Sequence, residues 1–423
     1  MRERCLWEET ASAPPTQADD EPPRQADVAI VGGGYTGLAA ARALGRRGVG
    51  VAVLERHTIG WGASGRNGGF VLPGYKPDPE TLARKLGLPE ARRLFEISLA
   101  AVRGLERLIA EEAIACEYHR CGTVILAARP GHLRALEISR GFLSRELGHE
   151  TQLLSSTELG DELGSRRYFG GLLDPMAGAL QPARYVQGLA AAAVRAGARL
   201  VERTEVRRIR RTGGGFSLAT SRGTLAAAEV LVATNGYTGP AVPALQRRVV
   251  PIGSYLIATP PLEPALLRRL VPRAEGRVFS DTKNLLFYFR LSADGRMVFG
   301  GRAAFTPTSI RRSAEILRRG MGEVFPQLAQ VPVEYAWGGQ VAFTADQMPH
   351  AGRLDGLSYA LGYAGHGVAM ATWLGARMGE ALAGAGEIPR LTAPFRAIPF
   401  YRGWPWFLPL VGGYYGARDW VGW

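Results

Sequence analysis

The stretch from Asp27 to Arg56, DVAIVGGGYTGLAAARALGRRGVGVAVLER, constrains the fold more than any other part of this chain. It reads as a short apolar strand, a glycine turn, a helix rich in alanine and leucine, and a second strand. Gly32, Gly34 and Gly37 fall at the GxGxxG spacing. Gly32 permits the tight turn, Gly34 admits the backbone to a pyrophosphate, and Gly37 lets helix and strand pack closely. The helix opening at Tyr35 and Thr36 would offer free N–H groups and the positive end of its dipole to the phosphates. The second strand ends at Glu55, just before Arg56, where a carboxylate can accept hydrogen bonds from both hydroxyls of an adenosine ribose. The unit predicts a dinucleotide site and leaves NAD and FAD open, since both carry ADP.

Two further segments bear on that choice. Directly after Glu55 comes RHTIGWGASGRNGG, with small residues around Arg66 and Asn67. Such a segment can lay its backbone close to a flat ligand at Gly68, while Ser64, Arg66 and Asn67 offer hydrogen bonds; its composition alone also allows a mobile glycine loop. Far downstream, Leu357 to Leu361 reads as a strand, Gly365-His366-Gly367 as a turn, and Val368 onward as a helix of small residues. A second helix N-terminus there would stabilise the negative charge of a reduced flavin near N1 and O2. His366 taken alone reads first as an ordinary core or surface histidine; at this turn it is a candidate catalytic residue.

With these residues in view, the chain resembles the FAD-dependent oxidoreductases of the D-amino-acid oxidase type. The matching stretches are VGGGYTG…LER…GWGASGRNGG, QPARYVQGLAAAAVRAGARLVERTEVRRI, VLVATNGYT, YFRLSADGRMVFGGR and GYAGHG. Within that superfamily it most resembles the gamma-glutamylputrescine oxidoreductase branch, with glycine and sarcosine oxidases more distant. The resemblance implies an α/β fold: a Rossmann-type FAD-binding domain with an inserted α+β substrate domain carrying an antiparallel sheet. It divides the chain into an N-terminal arm (1–26), a discontinuous FAD-binding domain (27–80, 150–248 and 335–390), a substrate domain (81–149 and 249–334) and an aromatic-rich cover (391–423). It also implies that Val206 holds the adenine through its backbone, that Thr234 and Gly236 lie near the cofactor, and that Trp337, Gly338 and Gly339 lie beside the ring.

Strand alternation adds candidates for the substrate side. Tyr255, Tyr288 and Arg290 fall in strand-like segments that could roof the flavin, and Tyr288 and Arg290 share one face because they are two residues apart. The implied chemistry is hydride transfer from the carbon beside an amine nitrogen to flavin N5, giving an imine that water hydrolyses, with electrons passing to O2 or another acceptor. Tyr255, Tyr288 and Arg290 would position the amine, with Arg290 favouring an anionic or polar group distal to it, and the helix after Gly367 would stabilise reduced flavin. More distant amino-acid oxidases place an arginine where this chain has Gln340, which argues against an alpha-amino-acid substrate. Sarcosine-type oxidases use a cysteine for covalent attachment and a lysine near N5; Lys283 is the only nearby lysine, and no cysteine lies beyond Cys121. Noncovalent FAD is the expectation. An NAD-dependent Rossmann dehydrogenase and a flavin dehydrogenase with a protein or quinone acceptor are the alternatives.

Composition excludes less. A net charge of +13 would suit nucleic acid, but the arginines are spread in small groups along the chain, so a solvated surface is expected and no nucleic-acid partner. The cluster RRIRR around Ile209 reads as a strand edge protected by charge. Cys5, Cys116 and Cys121 show no metal-ligand spacing, and no metal is expected. The N-terminus has no signal-peptide core, and no uninterrupted run reaches the ~18 apolar residues of a membrane span, so a cytoplasmic enzyme is expected. The Pro-rich, acidic stretch from Ala11 to Arg24 reads as an extended arm. The tail FYRGWPWFLPLVGGYYGARDW reads as a packed cover over the core, with contact to a membrane surface as the alternative.

Overall fold

A computed structural model describes residues 1–11, 21–273, 276–301, 308–391 and 394–421. Two sheets organise it. In the first, strands run in the order His350–Leu354, Leu357–Leu361, Gly223–Val232, Gln25–Val31, Val51–Leu54 and Arg199–Val201. All neighbouring pairs from Leu357–Leu361 onward are parallel, and their central residues, at 28–30, 51–54 and 230–232, are buried, as expected of strands covered on both faces. The strands Gly215–Thr220 and Val206–Thr212 extend Gly223–Val232 as an antiparallel flap. The flap ends at Val206–Thr212, whose arginines at 207, 208, 210 and 211 are exposed along the sheet edge.

The helix Tyr35–Gly45 packs against the late helix Gly367–Leu382 over the first sheet, and small residues set how closely they meet. A Cβ on Gly375 would lie 2.2 Å from the Thr36 carbonyl oxygen, and one on Gly37 would lie 2.0 Å from that of Gly32. Thr36 and Tyr363 hydroxyls hydrogen-bond at 2.7 Å between the two helix starts. Both N-termini therefore open on the same side of the sheet.

The second sheet runs Tyr335–Phe343, Val250–Ala258, Met297–Gly301, Phe287–Leu291, Val278–Asp281, Thr123–Leu126, Gly170–Asp174 and Gln152–Ser155. It is antiparallel except where Val278–Asp281 meets Thr123–Leu126. Its buried face holds Phe279, Phe289 and Phe299, covered by the helix Ile310–Val324 and by Phe325 at that helix's end. Helices Pro79–Leu86, Leu88–Glu111 and Pro130–Leu147 surround the other end. The first two divide at Gly87, whose φ of +89° ends one helix and starts the next.

Strand pairing departs from the expected division of the chain at two places. Gln152–Ser155 and Gly170–Asp174, expected in the FAD-binding domain, pair in the second sheet, as does the whole of Tyr335–Phe343. Alternation along a strand shows which face is buried and carries no signal for which sheet the edges join. The N-terminus differs too. Residues 1–11 are not an arm: Cys5, Leu6 and Trp7 are buried, and the short helix Leu6–Thr10 packs against the edge strand Tyr335–Phe343 of the second sheet and the helices Ala63–Arg66 and Pro182–Arg195. Most of the expected arm from Ala11 to Arg24 falls on residues 12–20, outside the described residues. Among the described residues, no helix is long and apolar enough to cross a membrane.

Candidate dinucleotide and substrate site

The two sheets face each other across one continuous cavity of about 1180 Å³. Typical sites for small organic ligands occupy roughly 300–1,000 Å³, so this one has room for a dinucleotide and a further molecule. It lies at the carboxyl ends of the parallel strands, where open α/β sheets place their ligands.

At one end stands the glycine turn. Gly32 has φ +113°, and a Cβ there would meet the Ala233 carbonyl oxygen at 2.8 Å, so only glycine fits between the two strands. Gly34 caps the helix without a side-chain hydrogen bond, and Gly32, Gly34, Tyr35 and Thr36 all line the cavity. Glu55 accepts the Gly33 N–H at 2.8 Å on one oxygen and the His57 N–H at 2.9 Å on the other. Two backbone donors thus fix the carboxylate while each oxygen keeps a lone pair for a ligand hydroxyl. Arg56, Val206 and Thr234 complete this part of the wall.

The segment after Glu55 wraps the middle of the cavity, and its polar side chains mainly hold the segment itself. Ser64 Oγ accepts the Tyr35 N–H at 3.0 Å. The Asn67 amide donates to the Ala63 carbonyl at 3.0 Å and accepts the Gly69 N–H at 2.7 Å. Arg66 donates to the Trp61 carbonyl at 2.7 Å and pairs with Glu8 at 3.3 Å. Ser64, Arg66, Asn67 and Gly68 all line the cavity, but the first three have these hydrogen bonds already committed, so they shape the loop rather than simply offering bonds to a ligand.

Gly339 lies against the loop, next to Arg66 and Ala63, and the wall continues through Gln340 and through Gly365, His366, Gly367 and Val368 at the start of the second helix. His366 has no side-chain role in capping that helix, and its Nδ1 is buried without a partner. Burial, together with the positive charge of Lys76, lowers its pKa to about 4, so the ring is neutral at physiological pH. Beyond this point the cavity continues into a chamber under the second sheet, lined by Tyr288, Lys76, His132, Asp281 and Thr282. Burial raises the Asp281 pKa against the opposing pull of Lys283, which sits 3.3 Å away.

Two expected substrate contacts, Tyr255 and Arg290, and Trp337, expected beside the ring, lie outside the cavity. Ile252, Ser254 and Leu256 face it, so Tyr255, one residue out of step, points to the other face, where it packs against Gly253 and Gly338. Trp337 is buried behind the loop, donating its indole N–H to the Arg66 carbonyl at 2.9 Å. Arg290 does share a face with Tyr288, but its guanidinium donates to the carbonyls of Gly68 at 2.9 Å and Leu180 at 2.6 Å and lies over the Trp7 ring. Burial lowers its pKa to about 10, which leaves it charged, and the guanidinium is held by these carbonyls away from the cavity. Gly37, Gly236 and Gly338 likewise act in packing: a Cβ on Gly236 would lie 3.2 Å from Gln340, and one on Gly338 2.8 Å from the Tyr255 ring. The distal residues Lys76, His132, Asp281 and Thr282 were absent from the sequence expectations, because no spacing in the chain links them.

The site's residues fit a dinucleotide carrying a flat ring. Two helix N-termini, an anchored carboxylate, a loop with close backbone approach and the unpartnered imidazole nitrogen supply its donors and acceptors. None of the three cysteines lines the cavity, and burial pushes the Cys5 thiol up to about 12 and that of Cys116 to about 11.

Comparison with known proteins gives a consistent picture. The family model described as DAO, FAD dependent oxidoreductase, matches residues 27–381. A probable oxidoreductase OrdL of Rhizobium meliloti (strain 1021) is 35% identical over 406 residues, covering 94% of this chain and 92% of the relative. The gamma-glutamylputrescine oxidoreductase of Escherichia coli (strain K12) is 34% identical over 401 residues, covering 94% and 93%. Among solved structures, glycine oxidase from Geobacillus kaustophilus superposes with a TM-score of 0.73 at 24% identity, covering 90% of this chain and all of that one.

Proposed function

Because the chain belongs to the family of FAD-dependent oxidoreductases of the DAO type, we propose that it oxidises a C–N bond of an amine or amino-acid-like substrate and passes the electrons to O2 or another acceptor, with O2 favoured. FAD, rather than NAD, is this family's cofactor. Bound FAD supplies the redox chemistry by accepting a hydride from the carbon beside nitrogen, after which the imine product hydrolyses in water.

The observation that carries this reading is the continuity of the cavity. The wall that begins at Gly32 and Glu55 reaches Tyr288 and His366 and ends in the chamber at His132 and Thr282 without interruption. A ring held at the Gly68 loop would have a substrate-sized space directly beside it. Tyr288, whose hydroxyl lies 3.0 Å from Ser254 Oγ, and His366 are the candidates to touch substrate. A neutral imidazole can accept a hydrogen bond from an amine N–H without adding a repelling charge. The relatives support an amine: one oxidises gamma-glutamylputrescine by name, and more distant ones are a sarcosine oxidase subunit and glycine oxidases. FAD is proposed to be noncovalent, in keeping with the placement of the cysteines away from the cavity.

The test is anaerobic titration of the yellow protein with polyamines, gamma-glutamylated amines and N-methyl amino acids. Bleaching of the flavin by one class, and recovery of colour with hydrogen peroxide on readmitting air, is the expected result. No bleaching by any amine would overturn the substrate reading, and recovery only with an artificial dye would overturn O2 as acceptor. Acid precipitation should leave the flavin in the supernatant; a yellow pellet would contradict noncovalent binding.

A further inference from the structure

The C-terminal segment covers the core with only half of its apolar side chains. Tyr401 and Leu408 are buried against Val250 and Ile252, with Phe407, Val411 and Tyr415 packed around them. Tyr401 donates to the Val249 carbonyl at 3.1 Å, and the Ile398 N–H to that of Arg247 at 2.9 Å, so the segment is fixed to the body. Phe400, Trp404, Trp406, Leu410 and Tyr414 point the other way, with 54 to 90% of their surface exposed. Among the described residues only four other large apolar side chains are exposed, and those lie far apart in the sequence, at Met1, Leu86, Ile138 and Phe169. Leu410 and Tyr414 are one helical turn apart in the helix Leu408–Val421, so they extend the same outer face. Large apolar side chains exposed together within one short segment mark an interaction site.

Charge identifies the occupant. Between Glu387 and Asp419 the sequence contains arginines and no carboxylate. Arg396 and Arg402 are exposed beside the aromatic residues, and Arg247 is exposed where Ile398 is tied down. A second copy meeting through the same face would bring cationic rim against cationic rim, which disfavours a symmetric dimer. An anionic surface with an apolar layer just beneath it satisfies both features. Tryptophan and tyrosine rings settle at the headgroup level of a bilayer, phenylalanine and leucine reach below it, and arginines pair with anionic headgroups. We infer that residues 396–414 form a docking face for the surface of an anionic phospholipid bilayer, on which the protein lies without spanning it. The inference does not depend on which amine the enzyme oxidises.

The experiment is sedimentation of the FAD-loaded full chain with vesicles at about 0.15 M salt. Phosphatidylcholine vesicles containing about one third phosphatidylglycerol are compared with pure phosphatidylcholine. The wild type should partition at least tenfold better to the anionic vesicles. Replacing both Trp404 and Trp406 by serine should lower that partition about tenfold or more. Arg396→Ser with Arg402→Ser should lower it by about fivefold for each arginine. Both double variants should keep their flavin content, because all four side chains are exposed. Absence of binding to anionic vesicles, or equal binding by the variants, would overturn the inference. So would self-association by light scattering that the tryptophan substitutions abolish, since a second copy would then be the occupant.

Discussion

At the scale of single residues, Arg290 shows how a side chain can be correctly placed by pattern and still have a different task. Its two-residue spacing from Tyr288 puts both on one face, and a guanidinium near a cofactor is a natural partner for a substrate anion. The structure instead gives the planar fork two backbone carbonyls, at Gly68 and Leu180, and a tryptophan ring to lie over. Arg290→Ala removes the donor from both carbonyls and leaves the buried one at Leu180 unsatisfied, at a cost of about 1–3 kcal/mol. The expected outcome is lower unfolding stability and weaker FAD retention, measured by urea denaturation and by flavin released on gel filtration, with a smaller effect on substrate KM. Arg290→Lys should not restore retention, since one ammonium does not reproduce the fork. A variant that keeps its flavin and loses only substrate affinity would return Arg290 to the substrate side. Glu55 was legible because its role is local: it ends the strand after the glycine turn, and its carboxylate is fixed by N–H groups of Gly33 and of His57. The roles of Arg290, Tyr255 and Trp337 depend on which sheet faces which, and local spacing does not record that.

At the scale of elements, the pair of helices Tyr35–Gly45 and Gly367–Leu382 is the device that brings the two ends of the sequence to one site. The contact is close enough that a Cβ at Gly375 would sit 2.2 Å from the Thr36 carbonyl oxygen, which is backbone and cannot turn aside. Gly375→Val therefore has to push the helices apart, an overpacking cost of about 1–3 kcal/mol, and moves both N-termini relative to the ligand. Its measurable signature is a protein that folds with native far-ultraviolet circular dichroism but binds FAD at least tenfold more weakly by fluorescence titration. Full flavin affinity in that variant would show that the helix pair does not set the site. Each helix was readable from the sequence, with its preceding strand and glycine turn, because those signals lie within about thirty residues. The assignment of Gln152–Ser155, Gly170–Asp174 and Tyr335–Phe343 to the second sheet was not, since edge pairing is chosen by tertiary packing.

At the scale of the whole molecule, the first eleven residues join what the sheets keep separate. Trp7 donates its indole N–H to the Asn67 carbonyl at 2.9 Å in the flavin loop, and its own carbonyl accepts from Gln181 at 2.8 Å. Its ring meets Trp337 of the second sheet edge-on, 6.1 Å between centroids, and lies beneath Arg290. One buried residue thus touches the loop at Asn67, the edge strand of the second sheet and the N-cap of the helix Pro182–Arg195. Removing a buried tryptophan to alanine costs about 3–5 kcal/mol, and here the loss falls at the junction rather than inside either core. In the wild type, release of flavin fluorescence and exposure of tryptophan on heating should follow one transition. In Trp7→Ala the flavin should leave at a lower temperature than the second sheet unfolds, so the two curves separate. Coincident curves with an unchanged midpoint would mean that the sheets couple through the cavity walls alone. A split would show that an N-terminal segment expected to be an arm holds the cleft between the sheets together.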